Sequence, residues 1–242
     1  SAYNKSIADP EGFWSDVAKE LEWFSPWTKV LEWNYPWAKW FVGATCNITY
    51  NCLDRHVKTW RKNKVAVIWV GENDQERVIT YGELYRQVNR CANALKRLGL
   101  TKGDRVTIYL PKVPEQIVAM LACARIGVIH SVVYSGFSAP ALASRIQDAE
   151  AKLVITADVG FDRGKVLDLK AVVDQAVANS PTVDRVVVLR RQAPGVALSA
   201  PKEIDWHDWL KDEKAVCEAE HLDAEHPLYI LYTSGTTGKP KG

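Results

Sequence analysis

The chain has 242 residues, enough for one large α/β domain or two smaller ones with a sizeable core. Its 31 basic and 29 acidic residues are spread along the sequence and leave a net charge of +2, so no concentrated basic face for nucleic acid is expected. No apolar run is long enough to span a membrane, and residues 1–12 lack the apolar core of a signal peptide. The five cysteines form no C-x-x-C pair, which favours a reducing compartment. These features predict a cytoplasmic protein that binds neither nucleic acid nor membranes.

The first part of the chain, residues 1–62, is an aromatic leader that holds seven of the ten tryptophans. Asp9 followed by Pro10 is typical of a helix start, with Asp9 as the N-cap. Two prolines then interrupt any helical period, and the aromatic residues recur without a clear spacing. We therefore expect an irregular leader that packs on the rest of the chain, residues 63–242, and does not fold alone.

Beyond the leader, apolar segments alternate with amphipathic ones. Thr80 and Glu83 form a capping-box pattern at the start of a helix that Gly99 ends. The predicted strands cover residues 65–70, 77–80, 105–110, 128–134, 153–156, 185–189 and 228–232. The predicted helices cover residues 81–98, 114–126, 139–148 (capped by Ser138), 168–178 and 205–212. This order indicates the α/β class, with a mostly parallel, doubly wound sheet that is covered on both faces.

The segment after the last predicted strand is rich in glycine, hydroxyl and lysine side chains. It contains, in order, Thr233, Ser234, Gly235, Thr236, Thr237, Gly238, Lys239, Pro240, Lys241 and Gly242. Glycines let the backbone approach an anion, hydroxyls donate to phosphate oxygens, and lysines supply positive charge. Only two residues separate Gly235 from Gly238, and Pro240 follows Lys239, so the segment is not a Walker A loop. A flexible surface turn is the simpler alternative, but the position directly after a buried strand favours phosphate binding.

This segment resembles the signature loop of the adenylate-forming superfamily, which includes acyl-CoA synthetases, the adenylation domains of peptide synthetases and luciferases. The resemblance implies that residues 233–239 hold the β- and γ-phosphates of ATP while a carboxylate attacks the α-phosphorus. It also implies an acyl-adenylate and pyrophosphate as the first products. Coenzyme A is then the second nucleophile, and its attack releases AMP.

Residues 47–56 are similar to the N-terminal region of acetyl-CoA and propionyl-CoA synthetases, a narrower family within that superfamily. Asn51 or Asp54 is expected to cap a helix that runs to residue 60. Cys52 and His56 invite a metal or catalytic role, but a structural role is the preferred interpretation for both.

Residues 157–165 resemble the segment with which acetyl-CoA synthetases bind the phosphorylated adenosine end of coenzyme A. By this resemblance Asp162, Arg163, Gly164 and Lys165 belong to a coenzyme A site. Arg163 and Lys165 suit that purpose, because arginine can bind a phosphate bidentately and lysine acts as a point charge. Asp162 departs from the family, which often has a basic residue there. A solvated surface loop is the alternative interpretation of this segment.

The resemblance as a whole implies an AMP-forming acetate–CoA ligase that uses acetate, ATP and coenzyme A. Residues 1–62 correspond to the family's N-terminal leader, and residues 63–242 to the first part of the AMP-binding domain, truncated within the phosphate loop. The Mg²⁺ ligand and the catalytic residues are expected downstream, so the chain alone is expected to be inactive and to self-associate through an exposed sheet edge. A propionyl-CoA or other short-chain acyl-CoA synthetase, and a non-catalytic binding fragment, are the alternatives.

Overall fold

The computed structural model describes residues 1–72, 74–192, 195–233 and 241–242. Its helices are α1 (Ala2–Ala8), α2 (Pro10–Ala18), α3 (Arg55–Val57), α4 (Tyr81–Arg97), α5 (Pro114–Arg125), α6 (Ala139–Asp148), α7 (Leu169–Ala178) and α8 (Trp206–Leu210). Its strands are β1 (Lys29–Asn34), β2 (Trp37–Val42), β3 (Thr45–Cys46), β4 (Val65–Val70), β5 (Glu76–Thr80), β6 (Arg105–Tyr109), β7 (Ile129–Val132), β8 (Leu153–Ala157), β9 (Val159–Asp162), β10 (Lys165–Asp168), β11 (Arg185–Leu189), β12 (Glu203–Asp205), β13 (Leu222–Asp223) and β14 (Tyr229–Ile230). Among the helices described, none combines the length and the apolar character needed to cross a bilayer.

The main sheet of the described part of the chain has six parallel strands in the order β12–β11–β8–β6–β7–β14. The chain passes from β6 through α5 to β7, and then back across β6 through α6 to β8. Because such crossovers are right-handed, this reversal puts α5 and α6 on opposite faces of the sheet. Accordingly, α4 packs against α5 and α8, whereas α6 packs against α7. The doubly wound, mostly parallel sheet predicted from the sequence is confirmed.

The core lies between the sheet and its two layers of helices. Every residue of β8 is buried, as are residues 186–189 of β11, because both faces of these strands are covered. The predicted capping box opens α4: Glu83 N donates to Thr80 Oγ1 at 3.2 Å, and Thr80 N donates to Glu83 Oε2 at 2.8 Å. Gly99 follows the helix with a φ of 84°, a left-handed conformation that glycine adopts without strain.

The leader contains more regular structure than expected. Asp9 caps α2 as predicted, with Gly12 N donating to its Oδ1 at 3.0 Å. However, β1 and β2 pair as an antiparallel hairpin in which Trp33 stands opposite Ala38. The expectation of an irregular leader is therefore wrong for residues 29–42.

Three local predictions also differ from the structure. Neither Asn51 nor Asp54 caps a helix through its side chain: Asn51 hydrogen-bonds the leader backbone, and Asp54 pairs with Arg125. Ser138 precedes α6 without a side-chain capping hydrogen bond. β14 covers only two residues of the predicted strand 228–232, because only Tyr229 and Ile230 pair with β7.

A buried ion pair joins the leader to α5. Arg125 is 1% exposed and Asp54 is 7% exposed. The two Nη atoms of Arg125 donate to the two carboxylate oxygens of Asp54 at 2.8 and 2.9 Å, and Nε donates to Cys217 O at 2.6 Å. Burial opposes the charged guanidinium, but the hydrogen bonds and the charge of Asp54 outweigh burial and raise the pKa of Arg125. One side chain thus links the leader, α5 and the chain that follows α8.

Asn47 reinforces this junction from the leader side. Its Nδ2 lies 3.1 Å from both Ala124 O and Arg125 O, and 2.9 Å from Glu220 O. Glu220 N in turn donates to Arg125 O at 2.8 Å. Nearby, β3 pairs with β13. The leader packs on the body as expected, through buried polar contacts as well as aromatic ones.

The Arg125–Asp54 pair makes a prediction about stability. Asp54→Asn leaves the guanidinium buried beside a neutral group and should lower the free energy of unfolding by about 3–5 kcal/mol. Urea unfolding followed by tryptophan fluorescence measures this loss. Asp16→Asn, in the exposed pair with Lys19, is the matched control and should leave the midpoint unchanged. Equal midpoints for the two variants would contradict the structural role of the buried pair.

His130 lies on β7, between β6 and the edge strand β14, and is 4% exposed. Its Nδ1 has no hydrogen-bond partner among the described residues. Burial lowers the pKa of His130 to about 4. The folded protein therefore keeps this imidazole neutral at pH values where an unfolded chain would bind a proton.

This burial predicts a pH dependence of stability. The unfolded chain gains a proton below about pH 6.5, so the free energy of unfolding should fall as the pH drops from there towards 4, by roughly 3 kcal/mol in all. Urea titrations between pH 4.5 and 7.5 should show this slope, and His130→Gln should flatten it. His207→Gln, at an exposed histidine on α8, is the control and should retain the original profile. Parallel profiles for both variants would refute the assignment to His130.

Candidate functional site

A cleft of about 550 Å³ opens at the carboxyl ends of β6, β7 and β8. Because the chain leaves β6 and β8 towards opposite faces of the sheet, the loops after these strands diverge and leave a crevice between them. Leu110 and Pro111 from the β6 loop, Tyr134 and Ser135 from the β7 loop, and Gly160 after β8 line this crevice. The cleft therefore lies where an open α/β sheet offers a ligand site.

The segment predicted to bind coenzyme A forms a hairpin beside the cleft. β9 and β10 are antiparallel, with Asp162 opposite Lys165. Arg163 and Gly164 form the two-residue turn with φ values of 50° and 73°, as a tight hairpin requires. Asp162 lines the cleft, whereas Arg163 and Lys165 are exposed outside its lining. The structure thus places the acidic member of the predicted set in the cleft and its two cations beyond it.

Glu72, in the loop after β4, holds the turn of this hairpin. Its Oε1 accepts from Arg163 N at 3.0 Å, and its Oε2 accepts from Gly164 N at 3.3 Å. Two adjacent amides that point at one carboxylate form a small anion-binding turn. Glu72 also lines the cleft, so it connects the hairpin to the opposite wall.

Asp158 lies directly before the hairpin and joins two segments of the chain. It is 4% exposed, and its Oδ1 accepts from Val159 N at 2.7 Å and from Arg191 N at 2.8 Å. Its Oδ2 accepts from Gln192 N at 3.3 Å. Backbone donors satisfy this buried carboxylate and tie the chain after β8 to the chain after β11.

Tyr109 holds the loop after β7. Its hydroxyl lies 2.9 Å from Ser135 O and 2.7 Å from Phe137 O, so it can donate to either carbonyl. Burial raises the pKa of Tyr109 to about 12, which keeps this donor protonated. The sequence predicted Tyr109 near the end of a strand but gave no signal for this contact, which depends on a loop 26 to 28 residues further on.

The predicted phosphate loop begins two residues after Leu231, the last of the described residues that line the cleft. Thr233 exchanges backbone hydrogen bonds with Lys241 at 2.9 and 3.1 Å. The predicted binding residues between them, Ser234, Gly235, Thr236, Thr237, Gly238 and Lys239, lie outside the described residues. Where the structure describes the chain, no group of three His, Cys, Asp or Glu side chains is placed to hold a metal ion.

Arg191, which follows β11, also lines the cleft and was not singled out by the sequence. Its guanidinium carbon lies 4.9 Å from the centre of the Phe161 ring in β9. In the sequence Arg191 is one of two consecutive arginines after an apolar strand, and nothing local distinguishes it from Arg190. Only the pairing of β8 with β11 brings it beside the hairpin.

Comparisons with protein families match the whole chain. Residues 53–242 match the family model described as AMP-binding enzyme, and residues 1–52 match the one described as acetyl-coenzyme A synthetase N-terminus. An acetyl-coenzyme A synthetase of Chlorobaculum tepidum is 50% identical over 99% of this chain and 36% of its own length. One of Methanothrix thermoacetophila is 55% identical over 95% of this chain and 35% of its own length. The chain thus spans little more than a third of these relatives.

A solved structure has the same fold. The acetoacetyl-CoA synthetase from Streptomyces lividans superposes with a TM-score of 0.90 at 31% sequence identity. The match covers 98% of this chain and 36% of the other chain. The described part of the chain therefore has the fold of about a third of that solved synthetase.

The Glu72 contact predicts a local change in dynamics. Glu72→Ala removes the acceptor of the Arg163 and Gly164 amides, so both amides should exchange with solvent faster, by up to about tenfold. Hydrogen–deuterium exchange with peptide-level readout over residues 159–168 measures the effect. Glu76→Ala, an exposed carboxylate on β5, is the control and should leave this peptide unchanged. Unaltered exchange in Glu72→Ala would show that the carboxylate does not hold the turn.

Proposed function

The chain belongs to the AMP-binding enzyme family, and from that premise we propose that the protein containing it is an AMP-forming acetate–CoA ligase. In this reaction a carboxylate oxygen of acetate attacks the α-phosphorus of ATP, and pyrophosphate leaves with the electrons of the broken P–O bond. The thiol sulfur of coenzyme A then attacks the acetyl carbon and loses its proton. The acetyl–oxygen bond to the phosphate breaks, and AMP is released.

The observation that supports this proposal best is the shared cleft at the carboxyl edge of the sheet. Asp162 of the coenzyme A segment and Leu231, just before the phosphate segment, both line it. A ligase of this type must bring a nucleotide and a second nucleotide-bearing thiol to one place. We assign residues 233–239 to the β- and γ-phosphates of ATP, and residues 162–165 to the surroundings of coenzyme A.

The similarity of the relatives favours acetate as the acyl substrate. Relatives named acetyl-coenzyme A synthetase are 50% to 55% identical to this chain, whereas the acetoacetyl-CoA synthetase is 31% identical. A propionyl-CoA or other short-chain acyl-CoA synthetase remains the alternative, since one additional methylene changes binding by only about 1–3 kcal/mol.

The proposal also assigns a role to each of the two parts of the chain. Residues 1–62 act as a packing leader, and residues 63–242 form the first part of the adenylating domain. Mg²⁺ would neutralise the phosphates of ATP and is assigned to ligands beyond this chain. Self-association and a cytoplasmic location stay predictions.

We further propose that these 242 residues have no adenylation activity alone. Catalysis of adenylyl and acyl transfer depends on several groups held in place together, and the chain spans only 35% to 36% of the relatives. Charge stabilisation by one loop is then insufficient, even where that loop binds the nucleotide.

Carboxylate-dependent exchange between ATP and pyrophosphate tests the proposal. The full-length protein that contains this chain should catalyse exchange most strongly with acetate, more weakly with propionate, and least with butyrate. The 242-residue chain is the control and should show no exchange. Preference for propionate would select the alternative ligase. Absence of exchange with all three acids from a folded full-length protein would contradict the ligase function and leave a binding role.

A further inference from the structure

Arg191 carries a charge that has no ion-pair partner among the described residues of this chain. No carboxylate oxygen lies within 4 Å of its guanidinium among the described residues, and residues 73, 193–194 and 234–240 include no aspartate or glutamate. Its Nη1 makes one long hydrogen bond, to Val159 O at 3.4 Å. A guanidinium has five N–H donors, so most of them remain available to a ligand.

The arginines around it are already paired. Arg190 lies 3.6 Å from Asp205, and Arg77 lies 2.6 Å from the buried carboxylate of Glu115. Burial lowers the pKa of Arg191, while the charges of Glu115 and Asp158 oppose that shift. The partly buried guanidinium still carries its charge at neutral pH, because arginine titrates far above 7.

Arg191 places a cation in the cleft, where the predicted coenzyme A residues place none. Within the cleft the hairpin contributes Asp162, whereas its cations at Arg163 and Lys165 lie outside the lining. Lys112 also lines the cleft, but as an exposed side chain that is strongly hydrated. Arg191 is instead partly buried, with its guanidinium carbon 4.9 Å from the centre of the Phe161 ring, a cation–π contact that restrains its position.

We propose that Arg191, held against Phe161, binds a phosphate group at the adenosine end of coenzyme A and is a specificity-determining residue for that substrate. The inference rests on the proposed ligase function. It assigns to the chain after β11 a role that the sequence had placed on the hairpin turn. Bidentate binding of phosphate by the guanidinium would also offset the acidic side chain of Asp162 in the same cleft.

Phosphate groups in this cleft could come from coenzyme A or from ATP. Contact with the hairpin favours coenzyme A, because the proposed function assigns residues 162–165 of this hairpin to coenzyme A. Phe161 and Asp162 belong to the same strand, β9, and both line the cleft with Arg191. ATP and dephospho-coenzyme A, which lacks only the 3′-phosphate, are therefore the two comparison ligands. ATP tests whether the bound phosphate belongs to ATP or to coenzyme A. Dephospho-coenzyme A tests whether the bound group is the 3′-phosphate or the pyrophosphate.

Calorimetric titration of the full-length protein tests the proposal. Arg191→Gln should weaken coenzyme A binding by about ten- to hundredfold, as expected for lost hydrogen bonds to a charged group, and should leave ATP affinity within about twofold. A loss confined to coenzyme A, with dephospho-coenzyme A unaffected, identifies the 3′-phosphate. An equal loss for both identifies the pyrophosphate. Arg191→Lys keeps the charge and should recover part of the affinity.

Arg190→Gln is the matched control, because it removes the neighbouring arginine whose charge is paired, and it should bind coenzyme A as the unsubstituted protein does. Thermal unfolding of each variant separates weak binding from a failure to fold. Unchanged coenzyme A affinity in a folded Arg191→Gln variant would overturn the assignment, as would a loss confined to ATP. Absence of coenzyme A binding by the unsubstituted protein would reject the proposed function itself, and with it this inference.

Discussion

Arg125 and Asp54 form the buried ion pair through which the leader joins the rest of the molecule. Removing both charges from water is unfavourable, and two parallel hydrogen bonds to the carboxylate and one to Cys217 O offset that penalty. Few arrangements are tolerated, because a displaced leader would leave a buried guanidinium without a partner. The pair therefore fixes α5 relative to the leader, and α5 in turn packs on β6 and β7, whose carboxyl ends border the cleft.

The cleft itself depends on how polar groups are satisfied where the strands end. Asp158 accepts backbone hydrogen bonds from two loops, and the hydroxyl of Tyr109 can donate to either of two carbonyls of a third. Glu72 does the same for the hairpin turn from the opposite wall. Each of these side chains already has hydrogen-bond partners within the chain. The guanidinium of Arg191, by contrast, has no carboxylate partner among the described residues, and we propose it as a ligand for a phosphate group.

Sequence patterns predicted the helix that buries one face and the strands that are buried on both faces. The capping box at Thr80 and the periodic apolar face of α4 were predicted correctly, as were the buried strands β6, β8 and β11. The β1–β2 hairpin was missed for a physical reason. Trp33 is 65% exposed and Trp37 is 74% exposed, so apolar side chains on this hairpin do not mark a buried face and show no alternation. The expected caps failed at Asp54, because a buried arginine competes for its carboxylate.

The sequence by itself determined the order of strands and helices, the doubly wound class and the family resemblance, because periodicity, caps and a glycine-rich segment are local properties of the chain. Tertiary structure alone decided which distant side chains meet. Asp54 and Arg125 are 71 residues apart, and Glu72 and Arg163 are 91 apart. Asp54 meets Arg125 because the leader packs on the end of α5, and Glu72 meets Arg163 because the loop after β4 lies against the β9–β10 hairpin. The sequence records only the spacing of these residues along the chain. For the same reason, Arg191 could be distinguished from Arg190 only once β11 was placed beside β8.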